Sequence, residues 1–335
     1  MSRTFSFGAL ARRPEAGAAL GLFAVLIFFA IFGGVTFLKP SGMASWLNVA
    51  ANLGVIAIPL GLLMIAGELD ISVGAMVPFG AMTVSVISGH YGLPIWMGIA
   101  AALSFGVIVG LVNGFLVIRT AVPSLIVTLG TLFAVQGVVL GLTVLITKST
   151  SVALKTEGVA KVMFGDFVLG GQMQVMVLWW LGLTALYVFF VHLSPFGNWV
   201  FAMGGDKVSA RNAGIPTERL TMVLFVLSST SAAFVGMCQA ILYNSAQVAG
   251  GQSFIFNAII SVVVGGVLLT GGFGSVIGIF FGTITFAIVT QGIYYTDFDR
   301  NWSSLIIGVL LLGAVLMNNT FRKMALSYAP KKGGK

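Results

Sequence analysis

Residues 93–148 read LPIWMGIAAALSFGVIVGLVNGFLVIRTAVPSLIVTLGTLFAVQGVVLGLTVLITK, and the only charges among them are Arg119 and Lys148. The stretch divides at Arg119-Thr120 into two runs free of Asp, Glu, Lys and Arg, residues 93–118 and 121–146. A bilayer crossing needs about 20 mostly apolar residues. Each run is therefore long enough to span, and the short basic joint between them is a membrane-surface turn. Outward from this pair the pattern repeats, giving further uncharged runs at 18–38, 47–66, 71–89, 173–191, 220–242, 254–269, 275–295 and 302–317. The runs at 254–269 and 302–317 are short enough to be re-entrant or tilted.

Composition agrees. Of 335 residues, 58% are hydrophobic and 8% charged, against roughly 25% charged in a soluble domain. Mean hydropathy is +1.06. Water would meet too much hydrocarbon on a soluble fold of this size, whereas lipid tolerates it. The 44 glycines sit inside apolar runs, where small residues let helices approach closely. The expectation is an all-α polytopic membrane protein with about ten transmembrane helices.

The charges orient it. With the N-terminus in the cytoplasm and ten alternating spans, the inner segments hold 12 of the 17 Lys and Arg and the outer segments 5. That bias favours both termini inside. Residues 1–17 read as a cytoplasmic segment, 18–320 as a single transmembrane domain with an inner loop at 192–219, and 321–335 as a basic tail beside anionic lipid. The run at 18–38 is too long for a cleaved secretory signal and reads as an uncleaved span. The net charge of +8 follows the membrane topology and does not mark a nucleic-acid surface, since no basic stripe interleaves with aromatics. Residues 147–172 form an outer loop long enough for a small element that meets a partner.

Several chemistries are absent. There is no phosphate-binding G-x-x-x-x-G-K-[ST]. Ser-His-Asp, paired-acid and metal-ligand patterns are also missing, so no catalytic site, metal or cofactor is expected. The lone Cys238 lies in an apolar run, and His90 and His192 lie near helix ends.

Four features remain. Gly204-Gly205-Asp206-Lys207-Val208-Ser209-Ala210-Arg211-Asn212-Ala213-Gly214-Ile215-Pro216 reads as a short helix on the inner loop. Asp206 suits its N-terminus, Gly214 a left-handed end, and Pro216 forbids continuation. Lys207 and Arg211, four apart, share a face; the loop is either a docking helix for a soluble partner or an ordinary solvated helix. Gly67-Glu68-Leu69-Asp70-Ile71-Ser72-Val73-Gly74 places two acids between consecutive spans. They either belong to a translocation path or close an interfacial turn. The glycine-rich segment 265–278 reads as a broken helix or tight inner turn. Finally, the amides Asn113, Gln136, Gln239, Asn257 and Gln291 lie within apolar runs, available to bond neighbouring helices or a polar cargo.

Taken together these segments resemble the ribose-type permeases of bacterial ATP-binding-cassette (ABC) importers, over most of the chain from the second run onward. The resemblance rests on Glu68-Leu69-Asp70-Ile71-Ser72-Val73-Gly74, on Pro123-Ser124-Leu125-Ile126-Val127-Thr128-Leu129-Gly130-Thr131, and on Ser194-Pro195-Phe196-Gly197 followed by 204–215. The late glycine-rich segment is the fourth motif, and all occur in order. Asn198-Trp199 departs from the basic residues frequent there in the family.

The resemblance implies a type II importer-like permease in the bacterial inner membrane. It would translocate a monosaccharide or small polyol. The implied partners are a cytoplasmic ATPase that binds the ATP, a periplasmic sugar-binding protein, and a second permease copy forming a homodimer or paralogous heterodimer. The coupling loop would use Gly204, Gly205, Asp206, Lys207, Ala210, Arg211, Gly214 and Ile215. Residues assigned to a translocation path are Glu68, Asp70, Ser72, Asn113, Gln136 and Asn257. The competing reading is a proton-coupled sugar transporter using Glu68 or Asp70, which the absence of ionisable groups within the ten runs opposes.

Overall fold

A computed structural model describes residues 14–120, 122–302, 304–313 and 315–316. Residues 1–13 of the N-terminal segment, and the basic tail, lie outside the described residues. The helices are α1 (Pro14–Phe32), α2 (Gly34–Leu38), α3 (Pro40–Ile65), α4 (Val73–Val84, prolonged by a π-helical turn Ser85–His90), α5 (Ile95–Arg119) and α6 (Ser124–Thr147). After them come α7 (Val159–Phe164), α8 (Met176–Leu193), α9 (Pro195–Gly205), α10 (Lys207–Asn212), α11 (Thr217–Tyr243), α12 (Gln252–Val264), α13 (Val276–Gly292) and α14 (Ser304–Gly313).

The all-α expectation holds, with short strands only in the loops. β1 (Ser151–Ala153) pairs antiparallel with β4 (Ser245–Gln247), placing Ser151 opposite Gln247. β2 (Phe167–Val168) pairs with β3 (Met173–Gln174). Among the described residues, 8 helices are long and apolar enough to cross a membrane, against the ten runs read from sequence. The difference has a physical reason at 254–269. There the helix α12 has 13 residues and a length of about 20 Å, short of the roughly 30 Å hydrocarbon core. Gly265-Gly266 end it and the chain turns, so this helix covers only about two thirds of a span.

Burial sorts the spans. For α3, 89% of its most apolar window is buried, against 22–28% for α1, α5, α6 and α8. The outer helices show hydrocarbon to lipid on most of their surface. α3 is the central post, packed by α8, α11, α12 and α13. Its Gly54 lies against the fully buried Trp180 of α8, which stacks on Phe280 of α13 at 4.5 Å between ring centroids.

Small residues bring the backbones together. On α5, Gly106, Gly110 and Gly114 recur once per turn and meet Thr230, Val226 and Met222 of α11 in descending order, so the two helices run antiparallel. A Cβ at Gly106 would lie 2.8 Å from Thr230 Cα, and one at Gly110 would lie 2.5 Å from Val226 Cα. This small-xxx-small stripe is how apolar helices gain packing where lipid gives no hydrophobic drive.

The end of the bundle where α11 stops is closed by the 147–172 loop. Lys161 of α7 donates to the carbonyls of Ile241 and Leu242 at 2.7 and 3.1 Å, where α11 ends. Its ammonium satisfies C-terminal carbonyls and opposes the negative end of the helix dipole. Leu154 N–H reaches the carbonyl of Asn244 at 2.9 Å, and Trp179 Nε1 donates to Met163 O at 2.8 Å. Lys161→Met keeps the stem and deletes the charge. It should lower the melting temperature of the purified chain in detergent, by a stability loss of about 1–2 kcal/mol.

Candidate functional site

The inner loop folds into two short helices. At the start of α9, Pro195 occupies the first turn, where its missing N–H is harmless, and Ser194 Oγ accepts from Phe196 N–H at 3.2 Å. Asp206 ends α9 and begins α10. Its Oδ1 accepts the N–H groups of Val208 and Ser209, each at 2.9 Å. The Ser209 N–H above all, with that of Val208, holds this carboxyl below its ordinary value of 3.8. The cap is thus intact above that value and is lost only as acid protonates the carboxylate below it.

At the other end Gly214 takes φ +86°, a conformation costly for other residues, and Ile215 N–H reaches back to Ala210 O at 3.1 Å. The two cations of α10 take separate partners. Lys207 Nζ meets Glu68 Oε1 at 2.5 Å, and Arg211 meets Glu218 at 3.1 Å. Ala210 is buried against the body of the protein while Val208 is 69% exposed. The loop thus holds one face to the membrane domain and leaves the other exposed.

Behind it, three loops meet backbone to backbone. Gly272 N–H donates to Ile65 O at 2.8 Å. Gly204 lies on that bond: a Cβ there would collide with Ile65 O and lie 2.5 Å from Gly272 N. A Cβ at Gly271 would lie 3.0 Å from both Gly204 O and Gly67 Cα. The acidic loop 66–72, the 192–219 loop and the glycine-rich segment therefore form one knot at the same end of the bundle.

Two residues beyond Glu68 the acidic loop turns inward. Asp70 is fully buried. Its Oδ1 accepts the Ser72 N–H at 2.9 Å and the Ser72 hydroxyl at 2.5 Å, closing the turn into α4. Ser229 of α11 donates to Oδ2 at 3.4 Å. Ser72 Oγ in turn accepts Asn113 Nδ2 of α5 at 3.0 Å, and Asn113 Oδ1 accepts the Thr131 hydroxyl of α6 at 2.6 Å. Donors thus run in one direction, from Thr131 through Asn113 and Ser72 to the carboxylate. Ser124 Oγ of α6 also accepts Leu69 N–H at 3.0 Å. A buried carboxylate survives when every lone pair meets a donor. Here that requirement ties four helices to one loop.

Comparison with known proteins gives the arrangement its context. The family profile described as "Branched-chain amino acid transport system / permease component" matches residues 42–315, most of the chain. The chain belongs to this permease family. The permease is 30% identical over 279 residues to the inner membrane ABC transporter permease protein YjfF of Escherichia coli (strain K12), covering 78% of each chain. It is 28% identical to the fructose import permease protein FrcC of Rhizobium meliloti, over 93% of this chain and 87% of that one. The ribose import permease protein RbsC of Escherichia coli (strain K12) is 26% identical over 89% of this chain and 92% of its own. No solved structure matches. The permease is a multi-pass protein of the bacterial inner membrane and a transport subunit of an ABC importer, with no enzyme chemistry of its own.

The structure brings Glu68, Asp70, Ser72 and Asn113 together with the inner loop, where Glu68 is the partner of Lys207. Gln136 lies farther along α6, and Asn257 lies on α12 with its carbonyl accepting the Ser261 hydroxyl at 2.8 Å; neither joins the node. Reading the sequence also missed an amide ladder halfway along α3. Asn52 Nδ2 donates to Gln174 Oε1 at 2.8 Å, Gln174 N–H donates to Asn48 Oδ1 at 2.9 Å, and Gln239 Nε2 donates to Asn52 Oδ1 at 3.3 Å. The available signal was Asn48 and Asn52 four apart on one face of an otherwise apolar run.

Proposed function

We propose that the permease carries a monosaccharide or small polyol inward, driven by a separate cytoplasmic ATPase that docks on residues 204–215. A periplasmic sugar-binding protein supplies the cargo, and two permease copies, identical or paralogous, enclose the path. ATP is bound by the partner. The names of relatives that import fructose, xylose and ribose support the cargo class.

The observation that carries the coupling role is the Lys207–Glu68 contact. It joins the inner-loop helix to the loop whose next acid holds four spans. A displacement of α10 by the ATPase then reaches α4, α5, α6 and α11 through this contact and through the backbone packing of Gly204 on Ile65 and Gly272. Nucleotide drives transport only if its bound and free states favour different permease conformations, and these contacts offer a route for that preference. The proton-coupled alternative gains nothing from the geometry: Glu68 is paired with a lysine and Asp70 is sealed within the node.

The test is charge reversal, Asp206→Arg with Arg211→Glu. The chain should remain in the membrane at normal level while uptake is lost and ATPase co-purification falls at least about tenfold, the effect of removing roughly 1.4 kcal/mol of docking energy or more. Normal uptake by this double variant would refute the assignment.

A further inference from the structure

α11 ends at Tyr243, and the chain turns back through β4 before α12 begins at Gln252. The return dips between the spans. Pro78 of α4 has no N–H to give the Gly74 carbonyl, and Gly251 packs into the notch so left, against Gly74 O and the Pro78 ring. Between β4, α4 and the last turns of α11 lies a cavity of about 220 Å³, lined by Pro78, Ala81, Gln239, Tyr243, Ser245 and Gln247 among others. Its depth follows from Gln239, which bonds Asn52 at 3.3 Å. Gln239 lies four residues before the end of α11 at Tyr243, about 6 Å along that helix, so the cavity sits one turn inside that end of the bundle.

We propose that this cavity is a subsite for a single monosaccharide on the transport path; the inference rests on the sugar-carrying reading above. Three properties carry it. The first is chemistry. Two carboxamides, a serine hydroxyl and a phenol line the cavity, offering both donors and acceptors to ring hydroxyls, with the Tyr243 ring as an apolar face. A second cavity of about 230 Å³, lined by Phe79, Val86, Phe105 and Leu142 together with Thr83 and Thr143, is almost wholly hydrocarbon and suits no polyol.

The second property is charge. Among the described residues, no Asp, Glu, Lys or Arg lines the polar cavity. An amino-acid zwitterion would lose its hydration there with no counter-charge, whereas a neutral sugar meets no such penalty. The third is preorganisation. The Asn48–Gln174–Asn52 ladder holds one N–H of Gln239, and the amide keeps a carbonyl oxygen and a second N–H to offer. In volume, about 220 Å³ leaves room for one sugar ring.

The test uses thiol protection on the full chain. Cys238 is the native cysteine and is buried, so Ser245→Cys, or Gly250→Cys should the first not fold, places one reactive thiol on the cavity wall. Its rate of labelling by a polar maleimide is measured with D-ribose, D-xylose, D-fructose, maltose or L-leucine present. At least one monosaccharide should slow labelling several-fold while maltose and leucine leave it unchanged. Adding Gln239→Leu or Tyr243→Ala should raise the half-protecting concentration about tenfold. Equal protection by every solute, or by none, overturns the subsite. If none protects and sugar uptake by the assembled importer is unaltered by Gln239→Leu, the subsite alone is wrong. Protection by leucine alone overturns the sugar reading as well.

Discussion

Gly204→Val should destroy the folded permease, while Gly205→Ala, one residue on, should melt like the parent. A Cβ at 204 collides with the Ile65 carbonyl and sits 2.5 Å from Gly272 N, across the hydrogen bond those two groups make. A Cβ at 205 meets nothing within 4 Å. Both obstructing groups at 204 are backbone, in three loops already locked together, so they cannot swing aside as a side chain would. Overpacking typically costs about 1–3 kcal/mol, and loss of a buried backbone bond adds about 1–3 kcal/mol. Thermal unfolding in detergent and the yield of monodisperse protein read the difference. Equal melting of the two variants would show that the three loops are not packed as described.

The second large effect is at Asp70. Asp70→Ala leaves the Ser72 N–H, the Ser72 hydroxyl and the Ser229 hydroxyl facing a void. Leaving a buried donor without its partner costs about 1–3 kcal/mol each, so the variant should lose several kcal/mol and with it uptake. Ser229→Ala removes only the 3.4 Å contact and should lose less than about 1 kcal/mol. An Asp70→Ala permease that melts with the parent would mean that the carboxylate does not hold the node. The contrast separates a structural carboxylate from one that only relays protons, since a relay residue can be removed without loosening four helices.

How much was legible in the sequence depended on whether the signal was local. The long uncharged runs gave most spans to within a few residues, because hydrophobic length is imposed by the bilayer itself, but α3 starts at Pro40, seven residues before its run, and α1 ends at Phe32, six before the end of its run. α11 begins three residues before its run, since Thr217-Glu218-Arg219 is helical but polar and an apolar count cannot see it. The inner-loop helix was readable because Asp206, Gly214 and Pro216 mark its ends by their own backbone chemistry. The run 254–269 was legible as short, and its helix is shorter still, because Gly265-Gly266 continue an apolar run while ending the helix.

Long-range pairing left no local trace. Ser151 opposite Gln247, Lys161 on the end of α11 and Glu68 on Lys207 join segments 80 to 139 residues apart. Nothing in either partner names the other. The same limit explains the site. Asp70, Ser72 and Asn113 could be singled out one by one as polar residues in apolar surroundings, but their union with Thr131 and Ser229 is a property of the packed helices.

The central claim is that this permease moves its cargo by coupling to a separate ATPase, and one measurement addresses it directly. The tagged chain is purified from membranes, its companions are identified, and sugar uptake is measured in vesicles supplied with ATP or with a proton gradient alone. The account predicts a phosphate-loop ATPase in about equal amount and uptake that needs ATP. A chain that comes out alone and transports on the proton gradient without ATP would contradict it.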